Sequence, residues 1–342
     1  MGGQLGKVQT VLGLVEPKQL GFTQTHEHVL VNLLPEPLRK EYVGEPITLE
    51  NVGYLRRNWL NNPHNLSLTS EADAIDELKR YKSSGGGAIV EMTPIGTARD
   101  PEALARVSLA AGVHVVMGTS FYNAAFHPAE IQNLSEEGIA RIFVRDIMDG
   151  ADGAGVRAGI VGEIGLDWPL YESETRVLRA GALAQADTGA ALNIHPGRAP
   201  EAPLDAIRIV KEAGGNPERT VMSHVERTLF NLDEMLRLAE TGCYLEFDLF
   251  GQEWSYYPLS DIDMPNDATR VDYLIGLIGH GYKDKLLVSQ DICHKTQLAR
   301  YGGDGYSHIL DNVLPIMRRK GMSNEDIEAV TVRNPAKMLT FV

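Results

Sequence analysis

Two histidines stand two residues apart in the segment Thr25-His26-Glu27-His28, at the end of the first predicted strand. Residues at positions i and i+2 of a β-strand point to the same face, so both imidazoles can reach one point. Imidazole is a common ligand of zinc and similar divalent ions. A His-x-His pair alone is a weak signal of a metal site, so its meaning depends on the ends of the other strands.

Side chains of the same chemistry stand at four other predicted strand ends. Glu163 ends the fourth strand, His195 the fifth, His224 the sixth and Asp291 the eighth. Parallel strands of a closed barrel direct their C-terminal ends toward one cavity. Four imidazoles and two carboxylates suit two divalent ions that share one carboxylate. We therefore predict a binuclear centre with the ligands His26, His28, Glu163, His195, His224 and Asp291.

The chemistry of such a centre follows from its charge. Two neighbouring cations lower the pKa of a bridging water, so that hydroxide exists near neutral pH. Glu163 is the natural bridging ligand, because a carboxylate can span both ions and offset their repulsion. Asp291 can take the proton of the attacking hydroxide and pass it to the leaving group, while the second ion polarises the scissile carbonyl or phosphoryl oxygen. The predicted reaction is metal-assisted hydrolysis.

The elements that must position these side chains alternate along the chain. Short apolar runs predict eight strands, and the segments between them predict amphipathic helices. No Gly-x-Gly-x-x-Gly motif follows the first strand, so one closed (β/α)8 TIM barrel fits this pattern better than a doubly wound open sheet. We predict a single α/β domain over residues 1–342, with the metal site at the C-terminal ends of the strands. The predicted strands cover residues 21–28, 88–90, 113–117, 158–161, 191–194, 220–223, 244–247 and 286–289, and the predicted helices include 71–83, 101–111, 172–188, 203–213, 232–241 and 267–280.

Two connections exceed the usual length and would lie on the C-terminal face of the barrel. Residues 30–65 follow the first strand, and residues 250–266 follow the seventh. The second of these holds Trp254, Tyr256 and Tyr257, which either form a wall of the pocket or anchor the long loop. Two further side chains, Glu91 after the second strand and His294 after the eighth, are candidates for hydrogen bonds to ligating residues. The alternative role of Glu91 is to support a loop.

Composition and charge exclude several classes of protein. Of the 342 residues, 43% are hydrophobic and 23% are charged, which is typical of a globular chain and excludes a collagen-like or disordered one. The formal net charge of −14 and the lack of a basic run argue against nucleic acid or an anionic membrane as a partner. Two cysteines and the absence of a signal-peptide core predict a cytoplasmic protein, and no segment predicts a membrane span.

The motifs at the strand ends resemble those of a known family. Thr25-His26-Glu27-His28, Ile194-His195-Pro196-Gly197-Arg198 and Ser223-His224, together with the aspartate after the eighth strand, resemble the phosphotriesterase family of the amidohydrolase superfamily. The likeness runs nearly from end to end. It is greatest to the animal members, which share Gly-Lys-Val-Gln-Thr-Val-Leu-Gly at residues 6–13 and Asp-Ile-Asp-Met-Pro at residues 261–265.

The resemblance implies a (β/α)8 barrel with two divalent metal ions per chain, usually zinc. His26, His28 and Asp291 would hold the more buried ion, His195 and His224 the more exposed one, and Glu163 would bridge them. Better-known members carry a carboxylated lysine at the bridging position, where Glu163 supplies the same single negative charge. That departure argues against efficient organophosphate hydrolysis. Members of the family often form homodimers, which makes a homodimer possible here.

Among the animal members the resemblance implies hydrolysis of N-acetyltaurine to taurine and acetate, and of related small N-acyl amino acids. We therefore expect a zinc-dependent amidohydrolase that acts on a small anionic substrate. Arg198 lies three residues beyond His195, and its guanidinium suits a carboxylate or sulfonate, unless it pairs with Glu201 on the surface. Tyr122 resembles the tyrosine that lactonase members place beside the metals, and its alternative role is loop packing.

Two other functions stay open on the sequence alone. The same hydroxide could open a lactone or an ester, with a side activity on aryl phosphotriesters. The chain could also be a binding protein on a barrel that has lost catalysis. The presence of all six ligand candidates argues against the binding protein.

Overall fold

The computed structural model describes residues 3–35, 38–39 and 43–342. Eight parallel strands form one sheet in which each strand pairs with the next in sequence order. The first and last strands also meet, because the amide of Asp291 donates to the carbonyl of His26 at 3.1 Å and the amide of His28 to that of Ile292 at 3.0 Å. The strands are β1 (Phe22–Glu27), β2 (Gly86–Glu91), β3 (His114–Thr119), β4 (Ile160–Gly165), β5 (Leu192–His195), β6 (Thr220–Met222), β7 (Tyr244–Phe247) and β8 (Leu286–Val288).

Helices connect the strands and confirm the predicted (β/α)8 barrel. The six helices predicted from the sequence are present to within two residues at each end, while the helices Glu136–Met148 and Leu314–Arg319 were not among them. The helix ends follow local sequence: the side chains of Ser70 and Ser135 cap the helices that begin directly after them, and Gly112, with a left-handed φ of 68°, ends the helix Pro101–Ala111. The helices are α1 (Glu71–Ser83), α2 (Pro101–Ala111), α3 (Glu136–Met148), α4 (Glu172–Thr188), α5 (Ala202–Glu212), α6 (Leu232–Ala239), α7 (Asp267–Gly279) and α8 (Leu314–Arg319).

Alternate side chains of the strands pack into two separate apolar clusters. Ile89 and Val115 belong to the large cluster between the sheet and the helices. Ala88, Val90 and Val116 belong to a smaller cluster. Because alternate residues of a barrel strand point inward, the smaller cluster fills the barrel interior near the N-terminal ends of the strands. Polar side chains further along the strands therefore lie on the C-terminal side of this smaller apolar cluster.

Both chain termini cover the N-terminal end of the barrel. Val8–Thr10 and Gly13–Val15 form a hairpin, and Val11 in its turn donates its amide hydrogen to the carbonyl of Val115 in β3 at 2.9 Å. Beyond the helix Asn334–Leu339, the amide of Phe341 donates to the carbonyl of Lys7 at 3.0 Å. The opposite end of the barrel carries the loops that follow the strands.

The two long loops meet above the C-terminal ends of the strands. The loop after β1 contains the helix Val52–Arg57 and a ladder between Val31–Asn32 and Ser67–Leu68. Its Trp59 stacks on Trp254 of the loop after β7, with ring centroids 6.1 Å apart. Among the described residues, no helix is both long and apolar enough to cross a membrane.

Candidate active site

The six predicted ligand side chains meet at the C-terminal mouth of the barrel. His26 lies in β1, Glu163 in β4 and His195 at the end of β5. His28 follows β1 directly, and His224 and Asp291 stand two and three residues past the ends of β6 and β8. Five of the six residues are buried, and the Asp291 side chain is 17% exposed. The rule that strand ends share one cavity therefore holds for every member of the set: His26, His28, Glu163, His195, His224 and Asp291.

Glu163 lies at the centre of this cluster. Its Oε1 is 3.2 Å from Nε2 of His28. Its Oε2 is 2.9 Å from Nδ1 of His195, 3.6 Å from Nε2 of His26 and 3.7 Å from Nε2 of His224. One carboxylate thus faces a ring nitrogen of all four imidazoles.

Asp291 lies on the β1 side of the cluster. Its Oδ1 is 3.2 Å from Nε2 of His28 and 4.0 Å from Nε2 of His26. The residue has a φ of 49°, in the left-handed region that few residues other than glycine adopt. This conformation places the carboxylate beside the two histidines of β1.

The donor atoms of this cluster fit divalent metal ions. Three groups of three residues could each hold an ion, because the ligand atoms within a group lie within 4.8 Å of one another. Glu163 belongs to two of these groups. His26 Nε2 is buried and has no hydrogen-bond partner among the described residues, which is the state of a nitrogen that an ion would bind. Imidazole and carboxylate are ligands typical of zinc and similar ions. The groups are His26–His28–Glu163, Glu163–His195–His224 and His26–His224–Asp248.

The two imidazoles at the end of β1 each contact a hydrogen-bond acceptor on the side away from Glu163. Nδ1 of His28 is 3.0 Å from the hydroxyl of Thr93, which in turn donates to Glu91 at 2.6 Å. Nδ1 of His26 is 3.2 Å from Oε2 of Glu246. Glu91 therefore acts on a candidate ligand through Thr93, as one of its two predicted roles required.

Asp248 performs the same task for His224 and was not predicted from the sequence. Its Oδ1 is 2.8 Å from Nδ1 of His224 and accepts a hydrogen bond from the His224 backbone amide at 3.0 Å. These contacts support the left-handed φ of 53° at His224. The sequence carried a signal, because Asp248 follows β7 directly, at the same edge as the predicted ligands.

Arg227 was also missed, and it contacts the fourth imidazole. Its Nη2 lies 2.9 Å from Nε2 of His195 and donates to the carbonyl of Pro196 at 3.0 Å. The residue is 2% exposed. Its position three residues past His224, in the loop after β6, was the only sequence signal available.

Burial and charge shift the pKa values of the cluster in different directions. Burial lowers the pKa of His28, but Asp291 and Glu163 outweigh burial and raise it to about 10. Burial raises the pKa of Glu163, but the surrounding imidazoles outweigh burial and hold it well below its usual value. Burial and Arg227 together hold the pKa of His195 well below its usual value. The side of the cluster near β1 therefore attracts positive charge most strongly.

Both predicted substrate-binding residues, Tyr122 and Arg198, line a cavity above the cluster. The hydroxyl of Tyr122 is 3.4 Å from both ring nitrogens of His195. Arg198 lies with its guanidinium carbon 5.8 Å from the ring centroid of Tyr257 and forms no ion pair with Glu201 in the described structure. Residues that line this cavity include Trp59, Tyr122, Arg198, Arg227, Trp254 and Tyr257.

Aromatic rings form one wall of the cavity. Trp254 stacks on Tyr257 at 6.3 Å, and Trp59 stacks on His294 at 5.0 Å between ring centroids. Tyr256, the third aromatic residue considered for this wall, is 66% exposed and is not among the lining residues. Two of the three predicted aromatic residues of the β7 loop thus border the cavity.

Comparison with known proteins gives matches along nearly the whole chain. The sequence model of the Phosphotriesterase family matches residues 6–339. The chain is 44% identical to the N-acetyltaurine hydrolase of Homo sapiens over 348 aligned residues, which cover 100% of both proteins.

Solved structures resemble this fold closely. The resiniferatoxin-binding protein of Rhodobacter sphaeroides superimposes with a TM-score of 0.92 at 34% identity, covering 98% of this chain and 95% of that one. The phosphotriesterase homology protein of Escherichia coli, whose crystal structure contains phosphate in the active site, has a TM-score of 0.79 at 26% identity, covering 94% and 99%.

Proposed function

The chain belongs to the phosphotriesterase family and is a metal-dependent hydrolase, and from that premise we propose that it cleaves the amide bond of a small N-acyl amino acid or N-acyltaurine. N-acetyltaurine, which yields taurine and acetate, is the proposed first substrate. The family match confirms the resemblance noted in the sequence. The 44% identity to the human N-acetyltaurine hydrolase supports the choice of substrate.

Two guanidinium groups beside the cluster, each with one buried nitrogen that lacks a hydrogen-bond partner, carry this proposal. The Nε atom of Arg198 and the Nη1 atom of Arg227 are buried without a hydrogen-bond partner in the described structure. Neither side chain forms an ion pair with an acidic residue described there. A buried cation without an ion-pair partner is costly, and an anionic group of the substrate would supply that partner. A sulfonate or carboxylate offers the oxygen atoms that guanidinium binds best.

We further propose that two divalent ions, zinc in the first instance, bind in the cluster. His26, His28 and Asp291 would hold one ion, His195 and His224 the other, and Glu163 would bridge them. The distances around Glu163 and the unpartnered His26 Nε2 support this assignment. When bound, such ions lower the pKa of water to give a nucleophile at neutral pH and polarise the carbonyl of a substrate.

The protein's own side chains then orient the substrate and move the proton. Arg198 and Arg227 bind the acid group and so place the amide bond over the cluster. Asp291 takes the proton of the attacking water and returns it to the departing amine nitrogen. Burial, together with Glu163, holds the pKa of Tyr122 well above its usual value, so its phenol stays a hydrogen-bond donor. The aromatic wall limits access of bulk water.

A comparison of charged and uncharged substrates tests the proposal. N-acetylethanolamine carries a hydroxyl in place of the sulfonate of N-acetyltaurine. We expect Arg198→Met to raise KM for N-acetyltaurine by ~10- to 100-fold and to leave hydrolysis of N-acetylethanolamine nearly unchanged. The matched control is Arg208→Met, because Arg208 is on the surface and pairs with Asp205 and Glu212. Equal losses on both amides, or turnover of a lactone but not of N-acetyltaurine, would contradict it.

A further inference from the structure

The four imidazoles of the cluster differ in what their outer ring nitrogens contact. Three of them face hydrogen-bond acceptors, and the fourth faces a cation. In a neutral imidazole one nitrogen carries hydrogen and the other carries a lone pair, and only the lone pair can bind a metal ion. The outer contact therefore decides which nitrogen is available to an ion.

His28, His26 and His224 are held in the form that can bind a metal. The Thr93 hydroxyl gives its hydrogen to Glu91 at 2.6 Å, so its oxygen accepts from Nδ1 of His28 at 3.0 Å. Glu246 and Asp248 accept in the same way from Nδ1 of His26, at 3.2 Å, and of His224, at 2.8 Å. With the outer hydrogen held in this way, Nε2 of each ring, on the side of Glu163, is the nitrogen that can present a lone pair to an ion.

His195 is held in the opposite form. A guanidinium has donors only, so Nε2 of His195 must accept from Arg227 at 2.9 Å. The ring hydrogen then lies on Nδ1, which is 2.9 Å from Oε2 of Glu163 and 2.8 Å from Nε2 of His224. The nitrogen of His195 that faces the cluster therefore has no lone pair to offer.

We infer that Arg227 is a positioning residue that makes the ion bound by His195 and His224 the second to enter and the weaker of the two. Before Nδ1 of His195 can bind an ion, its hydrogen must leave, and a hydrogen that moves to Nε2 breaks the bond from Arg227. If the hydrogen moves to Nε2, that N–H points at the N–H groups of Arg227, and the guanidinium charge also repels an ion nearby. The inference rests on the ligand set proposed above and not on the proposed substrate.

Metal affinity measured without turnover tests this inference. Metal-free protein is titrated with Zn²⁺ in competition with a chromophoric chelator, which gives the two dissociation constants separately. We expect unequal constants in the wild type. We expect Arg227→Met to lower the dissociation constant of the weaker ion by ~10- to 100-fold and to change that of the tighter ion less. Arg198→Met is the matched control, because it removes a charge from the same cavity. An unchanged ratio in Arg227→Met, or the same shift in Arg198→Met, would overturn the inference.

A spectroscopic measurement on the wild type avoids any dependence on how the variant folds. Nitrogen-15 NMR of the metal-free protein distinguishes ring nitrogens that carry hydrogen from those that do not. We expect Nε2 of His195, at the contact with Arg227, to carry no hydrogen, whereas the outer nitrogen Nδ1 of each of the other three rings carries one. Hydrogen on Nε2 of His195 would show the inference to be wrong. Failure to bind any ion would overturn both this inference and the proposed ligands, whereas failure to cleave N-acetyltaurine would overturn the substrate alone.

Discussion

Glu27 accepts hydrogen bonds from the backbone on both sides of Asp291. Its two carboxylate oxygens accept hydrogen bonds from the amides of Gln290 at 2.8 Å and Ile292 at 2.9 Å, the neighbours of Asp291. The hydroxyl of Ser289 also donates to Glu27, at 2.7 Å. These bonds join β1 to the end of β8 and support the left-handed conformation of Asp291, which is unfavourable for an aspartate.

Replacement of Glu27 by Gln is therefore expected to damage both folding and catalysis. A carboxamide has one acceptor oxygen, so one of the two amides would be buried without a partner. We predict a loss of about 1–3 kcal/mol in the free energy of unfolding, measured by urea denaturation, and a lower kcat on N-acetyltaurine. Glu102 in α2 is exposed, so Glu102→Gln is the control. Identical behaviour of the two variants would disprove the role of Glu27.

The pair of His308 and Asp267 predicts a pH dependence of stability. Nε2 of His308 lies 2.6 Å from Oδ2 of Asp267. Burial lowers the pKa of His308, but Asp267 outweighs burial and raises it above its usual value. A raised histidine pKa adds stability that is complete below about pH 6.5 and is lost as the pH rises through the folded-state pKa. Asp304 also faces His308, at 3.9 Å, and acts in the same direction.

We predict that this pair contributes roughly 1.5 kcal/mol to the free energy of unfolding near pH 6 and less at alkaline pH. Urea denaturation of the wild type and of His308→Gln across that range measures the difference. The gap between the two proteins should narrow as the pH rises. A gap that stays constant, or widens, would show that His308 is neutral in the folded protein at all these pH values.

Gly118 of β3 lies where its strand passes close to the backbone of β4. A Cβ atom at this position would lie 2.2 Å from the carbonyl oxygen of Gly162, the residue before Glu163. We predict that Gly118→Ala lowers the free energy of unfolding by at least about 2 kcal/mol and lowers kcat, because the backbone that carries Glu163 must shift. Thermal and urea unfolding measure the first effect.

The control for this substitution is Gly138, which lies inside α3. A Cβ atom there would meet its nearest neighbour at 3.6 Å, an ordinary contact. Gly138→Ala should therefore raise the free energy of unfolding by about 0.5–1 kcal/mol. If both substitutions destabilise the protein equally, the crowding at Gly118 is not the cause of its effect.

The barrel and the position of its polar cluster could be predicted because both depend on local rules. The two-residue spacing of His26 and His28 puts them on one face, and the strand-end rule brought Glu163, His195 and Asp291 to the same mouth. Neither rule needs knowledge of side-chain packing. The helices α3 and α8 were not among those named from the sequence.

The hydrogen bonds behind the cluster could not be predicted, because they join segments far apart in the chain. Arg227 meets His195, and Thr93 meets His28, only after the barrel closes. Asp248 could have been found by the strand-end rule. That rule does not distinguish a residue that binds an ion from one that accepts a hydrogen bond from a ligating histidine. The contact of Arg198 with Tyr257 likewise depends on how the long β7 loop folds back.

The most direct test of the central claim is the hydrolysis of N-acetyltaurine by metal-stripped protein, before and after addition of Zn²⁺, beside Asp291→Asn. Release of taurine should be absent without metal, return as the ion is added, and stay absent in the variant with metal present. Equilibrium dialysis should find two ions per chain. Turnover by the stripped protein, or a protein that binds no ion, would contradict the account.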